Sequence, residues 1–227
     1  MNYEFDFGAV LAYWPLFAEG AWVTLRLAFF ATVIGFLFGT LCAVARTSGP
    51  TWLQRIVAGY VEAIRNTPLL IQSYFLIFGM ASIGLRLPIL VGATIALVVN
   101  IGAYTTEIMR AGIDSIQPGQ LEAAECLGLS RTQVYLHVVL RPAMERVYPS
   151  LASQYVLLML ASSILSSVGV EELFGISNRV QSDTFRNFEV FVVLGVVYLA
   201  LSMLLRVAFW LLNLALFTRR RKLGTPI

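Results

Sequence analysis

The chain has 227 residues, of which 58% are hydrophobic and only 13% charged, with a mean hydropathy of +0.78 and a formal net charge of +3. A soluble domain carries about 25% charged residues, so this composition excludes a soluble enzyme or binding module and describes an integral membrane protein. The basic residues are spread over loops and a tail, which excludes a nucleic-acid surface and makes their meaning topological.

A helix needs ~20 apolar residues to cross ~30 Å of hydrocarbon, so the length is used up by about five transmembrane helices in a single domain over residues 1–227. The expected fold class is all-α integral membrane. Met1 to Glu19 holds Glu4, Asp6 and Glu19 but no lysine or arginine, which argues against a cleavable signal peptide. The first span is predicted over Ala21 to Ala45, where Gly35 and Gly39 form a GxxxG face suited to close helix approach. Arg46 and Arg55 follow it, placing that loop in the cytosol and the N-terminus outside. From Trp52 to Asn66 the pattern is amphipathic, with Glu62 and Arg65 at a spacing that a helix brings together. Pro68 either kinks the second span or marks its cytosolic boundary, and Leu69 to Met80 continues it. A third span runs from Pro88 to about Met109. Its Asn100, Tyr104 and Glu107 share one face, which should look into the protein because polar groups at that depth are costly against lipid. Glu107 has two readings: a pair with Arg110 at the membrane edge, or a direct contact with a transported solute.

Gly119 to Pro142 is the longest polar segment between apolar runs. Pro118 suits the first turn of a helix ending near Leu127, with Glu122 and Glu125 placed early in it, and Gly128 suits the left-handed residue that closes it. Ser130 and Gln133 make a capping box for a second helix carrying Val134, Val138 and Val139, which Pro142 should interrupt. The fourth span, Val147 to Gly169, is rich in serines that favour helix contacts. Val170 to Glu189 is a mixed-charge outside loop with room for a short helix. The last span runs from Val190 to Phe217; its Arg206 should snorkel or pair within the bundle, and Arg219, Arg220, Arg221 and Lys222 anchor the tail in the cytosol. Cys42 and Cys126 both fall towards the cytosolic side, so packed free thiols are expected rather than a disulfide.

Several of these strings carry a resemblance. Glu122, Ala123, Ala124, Gly128 and Pro142 match the E-A-A-x-x-x-G loop, with its proline-containing end, of ABC-importer permeases. YVEAIRNTPLLIQ is similar to the R-G-T-P-L-L-x-Q element of the polar amino acid (histidine/glutamine permease) family, with Asn66 in place of glycine. NIGAYTTEIMR resembles that family's A-Y-x-x-E-I-x-R stretch, and GVEELF its G-V-x-E-L segment. Where the family reads K-D-T-S-L, this chain has Leu160, Ala161, Ser162, Ser163 and Ile164, so no role for the charged pair carries over. Gln154 aligns with a position often acidic in relatives that handle arginine or histidine. A neutral amide there favours a substrate without a cationic side chain, unless Gln154 simply bonds a neighbouring helix.

The resemblance implies the permease subunit of a type I ABC importer for polar amino acids or close derivatives, in a bacterial inner membrane. The implied partners are a cytosolic ATPase dimer, a second permease copy or similar subunit, and an external solute-binding protein. The loop over about residues 111–142 would dock on the ATPase through Glu122, Ala123, Ala124 and Gly128. Gln72, Asn100, Tyr104, Gln154, Ser162 and Ser163 would line the substrate path, and Arg65, Pro68 and Glu107 would be structural or gating. The chain itself needs no cofactor: a Walker P-loop requires a lysine, and the only one, Lys222, stands in the tail. A single histidine and two distant cysteines offer no metal cluster. The rival reading is a self-contained ion-coupled carrier or channel using Glu107, although no internal repeat supports an inverted-repeat carrier.

Overall fold

The computed structural model describes residues 4–217, and within them the chain is helical from end to end. In order the helices are α1 (Phe7–Leu11), α2 (Trp14–Ser48), α3 (Thr51–Arg65), α4 (Leu69–Ser82), α5 (Ile89–Asp114), α6 (Pro118–Cys126), α7 (Arg131–Val168), α8 (Leu173–Thr184) and α9 (Asn187–Leu216). Helices α2, α5, α7 and α9 are long and apolar enough to cross a membrane. The fifth apolar helix, α4, is shorter: its 14 residues span ~21 Å against the ~30 Å hydrocarbon. Helices α3 and α4 are separated at Asn66-Thr67-Pro68, because Pro68 disfavours helical geometry at the residue before it.

The centre of the bundle is α5, whose Leu97, Ile101 and Met109 are fully buried. It packs most extensively on α2, where Gly35 and Gly39 let the two backbones approach. A β-carbon at Gly39 would stand 2.6 Å from the carbonyl oxygen of Gly102, so this contact requires glycine. Helix α3 lies against the same pair, burying Val57 and Val61 and leaving Trp52, Arg55 and Ile56 in the open. A second apolar cluster holds the other end together, with Phe17 and Ala28 of α2, Leu173, Ile176 and Val180 of α8, and Val190, Leu194 and Leu201 of α9.

Two expectations about elements are corrected. Pro142 does not interrupt its helix: α7 continues through it for 38 residues. The turn before it widens to π register over Val134–Leu140, with the Arg141 amide bonding the Leu136 carbonyl five residues back, which makes room for the proline ring. The segment 170–189 does hold the short helix it had room for, the twelve-residue α8, which packs on α2. Glu122 and Glu125 fall in the middle and last turn of α6, so neither complements the positive end of its dipole. The basic cluster from Arg219 to Lys222 lies outside the described residues.

Candidate coupling surface and polar face

The turn between α5 and α7 is built by local chemistry. Pro118 occupies the first turn of α6. At the other end Gly128 has φ 71, its amide bonds the Glu125 carbonyl at 2.9 Å, and the Leu129 amide bonds the Ala124 carbonyl at 3.2 Å. This is the paired closure of a Schellman motif, and it fixes the direction in which the chain leaves α6. Ser130 then opens α7 through a reciprocal capping box: its amide bonds Gln133 Oε1 at 2.9 Å and its hydroxyl accepts from the Gln133 amide at 3.4 Å. Within α6 only Ala124 is buried; Glu122, Ala123 and Glu125 are exposed, as is Gly128 beyond it. The result is a stiff helix–corner–helix presenting a surface of two carboxylates and a small alanine. Cys126 is exposed on the same helix, which corrects the expectation of a packed thiol, and both cysteines are free.

The shared face of α5 meets the break between α3 and α4. Gln72 is buried and spends its amide nitrogen on that break, donating to the carbonyls of Ile64 at 2.8 Å and Thr67 at 3.0 Å. Its carbonyl accepts from Asn100 Nδ2 at 2.9 Å. Pro68 begins α4 in extended geometry, with ψ 139. One turn along α5, Tyr104 lies under the guanidinium of Arg65, 5.5 Å from the ring centroid. A further turn along, Glu107 meets Arg46 at 2.6 Å, Arg65 at 4.0 Å and the neighbouring Arg110. The predicted Glu62–Arg65 pair is absent from this arrangement: Arg65 turns to Tyr104 and Glu107, while Glu62 accepts from Asn66 at 3.0 Å. So Gln72, Asn100 and Pro68 form one group at the break and Arg65, Tyr104 and Glu107 a second, the two adjoining where Gln72 bonds the Ile64 carbonyl just before Arg65.

The remaining candidates stand on α7. Ser162 is buried and donates to the Met159 carbonyl at 2.7 Å; Ser163 is half-buried and donates to Leu160 at 2.9 Å. Gln154 is half-buried, and no hydrogen bond among the described residues joins it to the Gln72–Asn100 pair. Leu160 and Ala161 face outward, consistent with the absence of a charged pair there. Arg206 is exposed beside Tyr148 and Asn213 and makes no ion pair among the described residues, which leaves snorkelling as its role.

Sequence reasoning missed two buried carboxylates. Glu172 accepts from the amides of Phe174 at 3.0 Å and Gly175 at 2.8 Å, from Tyr198 at 2.9 Å and from Thr24 at 3.4 Å. It thereby ties the start of α8 to both α2 and α9. Burial pushes its carboxyl above the ordinary range, and these donors pull it back. Glu189, also buried, accepts from the Asp6 amide at 3.0 Å. A glutamate next to another in a charged loop gave no sign of burial by composition; the usable signals were its place as the fixed glutamate of the G-V-x-E-L resemblance and directly before the apolar Leu173-Phe174.

The family model for the inner membrane component of binding-protein-dependent transport systems matches residues 35–217. The chain belongs to that family. It is a permease subunit, and the fold is shared with solved members. An amino acid ABC transporter solved with histidines matches with a TM-score of 0.85 at 31% identity, covering 93% of this chain and 99% of that one. The permease is 32% identical to the glutamine transport system permease of Escherichia coli K12 over 89% of this chain and 93% of that one. It is likewise 32% identical to the octopine transport system permease of Rhizobium meliloti, over 90% and 87%, and 35% identical to a probable glutamine ABC transporter permease of Bacillus subtilis, over 82% and 87%. The methionine transporter MetNI shares the fold, with a TM-score of 0.77 at 21% identity. Nothing in these likenesses supports the self-contained carrier, and Glu107, the residue it relied on, is surrounded by arginines.

Proposed function

We propose that this permease imports a polar amino acid or close derivative, without a cationic side chain, by alternating access driven by a separate cytosolic ATPase. The observation that carries the reading is the stiff, exposed corner from Pro118 to Ser130 at the point where two spanning helices meet. An ATPase that grips α6 can move α5 and α7 as levers, because the Schellman closure and the capping box leave the corner no slack. Two permease subunits face each other, with the N-terminus outside and the C-terminus in the cytosol. Closure of the ATPase dimer around ATP draws the two corners together and favours the outward-open state, which takes ligand from an external binding protein. ATP is bound by the partner, so hydrolysis is not a property of this chain. Along the path, Asn100, Gln154, Ser162 and Ser163 offer hydrogen-bonding groups and no net charge. Gln72 acts by holding the break at Pro68 in place.

The test is purification through a tag on this chain, followed by ATPase assays with its binding protein and a panel of amino acids. An ATPase should co-purify, and one ligand-loaded binding protein with a neutral polar ligand should stimulate hydrolysis. A chain that comes out alone and moves solute in liposomes without ATP would overturn the reading.

A further inference from the structure

Beside the end of α5 that leads to Pro118, a concave pocket of about 550 Å³ opens between α2, α3 and α5, with Arg46, Arg55, Arg110, Asp114, Thr51 and Gln54 in its walls. Arg46 and Arg110 both lean on Glu107, and Arg110 also on Asp114 at 2.6 Å, while Arg65 stands 4.0 Å from Glu107. Arg55 is exposed and makes no ion pair among the described residues. The walls therefore carry three guanidiniums, Arg46, Arg55 and Arg110, against two carboxylates, Asp114 and the adjoining Glu107, an excess of one positive charge that rests on Arg55. Arg46 and Arg110, 21% and 33% exposed, are held in place by their carboxylates, which leaves the open Arg55 as the guanidinium free to meet an anion. A concavity lined by three guanidiniums, one of them unpaired, attracts an anion.

We propose that this pocket binds the phosphate of an anionic phospholipid in the leaflet nearest α6. The position selects a lipid over a soluble anion. Arg46 stands near the C-terminal end of α2, where that span closes at Ser48, and Arg110 and Asp114 lie in the last turns of α5. On the open face of α3, Trp52 is 64% and Ile56 61% exposed, close to Arg55 in sequence. An amphipathic helix with tryptophan beside basic residues has the composition of a membrane–water boundary, where acyl chains lie along the apolar side chains and the phosphate meets the arginines. Guanidinium forks suit phosphate oxygens, whereas the quaternary ammonium of phosphatidylcholine would meet cationic walls. The Gln54 side chain donates its amide to the Gly49 carbonyl at 2.9 Å, which leaves its own carbonyl free to accept from headgroup hydroxyls. Phosphatidylglycerol satisfies all three features.

The site is independent of the transported solute, so its test reads lipid binding and not uptake. The permease with its ATPase is placed in phosphatidylcholine nanodiscs containing graded phosphatidylglycerol, and retained lipid is counted by native mass spectrometry. Wild type should retain phosphatidylglycerol in preference to phosphatidylcholine. Arg55→Gln should hold it about tenfold more weakly, the loss of one charge-assisted hydrogen bond, while Arg55→Lys should keep most of the affinity. The Arg55 side chain is exposed and unpaired, so these variants leave the fold intact. Retention by Arg55→Gln equal to wild type overturns the proposal. Millimolar inorganic phosphate or glycerophosphoglycerol displacing the lipid in an Arg55-dependent way would instead assign the pocket to a soluble phosphate and overturn the lipid assignment.

Discussion

At the scale of single residues, Glu107 is the group whose surroundings set its role. One carboxylate serves Arg46, Arg65 and Arg110, drawn from three different helices. Removing it as Glu107→Ala leaves three guanidiniums facing one another, which should cost about 2 kcal/mol, a value held below that of a fully buried network because all four side chains are partly solvated. The expected outcome is a lower melting midpoint of the purified permease, together with loss of transport from misplaced α2 and α3. A variant with unchanged stability whose transport became independent of an ion gradient would restore the carrier reading. Of the two roles the sequence left open for Glu107, the spacing to Arg110 made the local pair legible. Arg46 and Arg65 were not legible as partners, since nothing in a sequence says which helices meet. Gln72 shows the same limit: polarity and depth marked it for the path, but its donors are consumed by the backbone of the α3–α4 break.

At the scale of elements, what was legible is what is decided within a few residues. Pro118, the Gly128 corner and the Ser130–Gln133 box follow from cap chemistry that needs no tertiary partner, and all three stand where the pattern placed them. Pro142 was misjudged for the opposite reason. The rule that proline ends a helix assumes α register, and the π turn ahead of it removes the clash. The corner supplies its own test. A β-carbon at Gly128 would meet nothing within 4 Å, so a substitution there acts through the backbone alone. Leucine in the left-handed region costs about 1–2 kcal/mol, enough to open the Schellman closure and redirect α7, whereas asparagine tolerates that geometry. Gly128→Leu should therefore insert normally and lose binding-protein-stimulated ATPase activity in the assembled complex, and Gly128→Asn should keep most of it. Equal losses in the two variants would mean that the handedness of the corner is not what docking needs.

At the scale of the whole molecule, the remaining question is which way the bundle faces, and the two cysteines answer it without any substitution. The arginines that follow α2 and those that flank α6, Arg46, Arg55, Arg110, Arg131, Arg141 and Arg146, outnumber Arg26, Arg86, Arg179 and Arg186 towards the opposite ends of the spans. Basic residues are retained in the cytosol, so α6 should face inward. Cys126 is exposed on α6, while Cys42 is half-buried in α2 behind a helix contact. A membrane-impermeant maleimide should therefore modify Cys126 in inverted vesicles and leave it unmodified in right-side-out vesicles, with the half-buried Cys42 reacting slowly in the inverted vesicles and not at all in the others. If α6 is also where the ATPase grips, assembly of the full complex should slow modification of Cys126 severalfold, and stripping the ATPase should restore it. Labelling from the outside would reverse the orientation and remove the corner from reach of any cytosolic partner. Labelling from the inside that ignores the ATPase would keep the orientation but move the contact off α6.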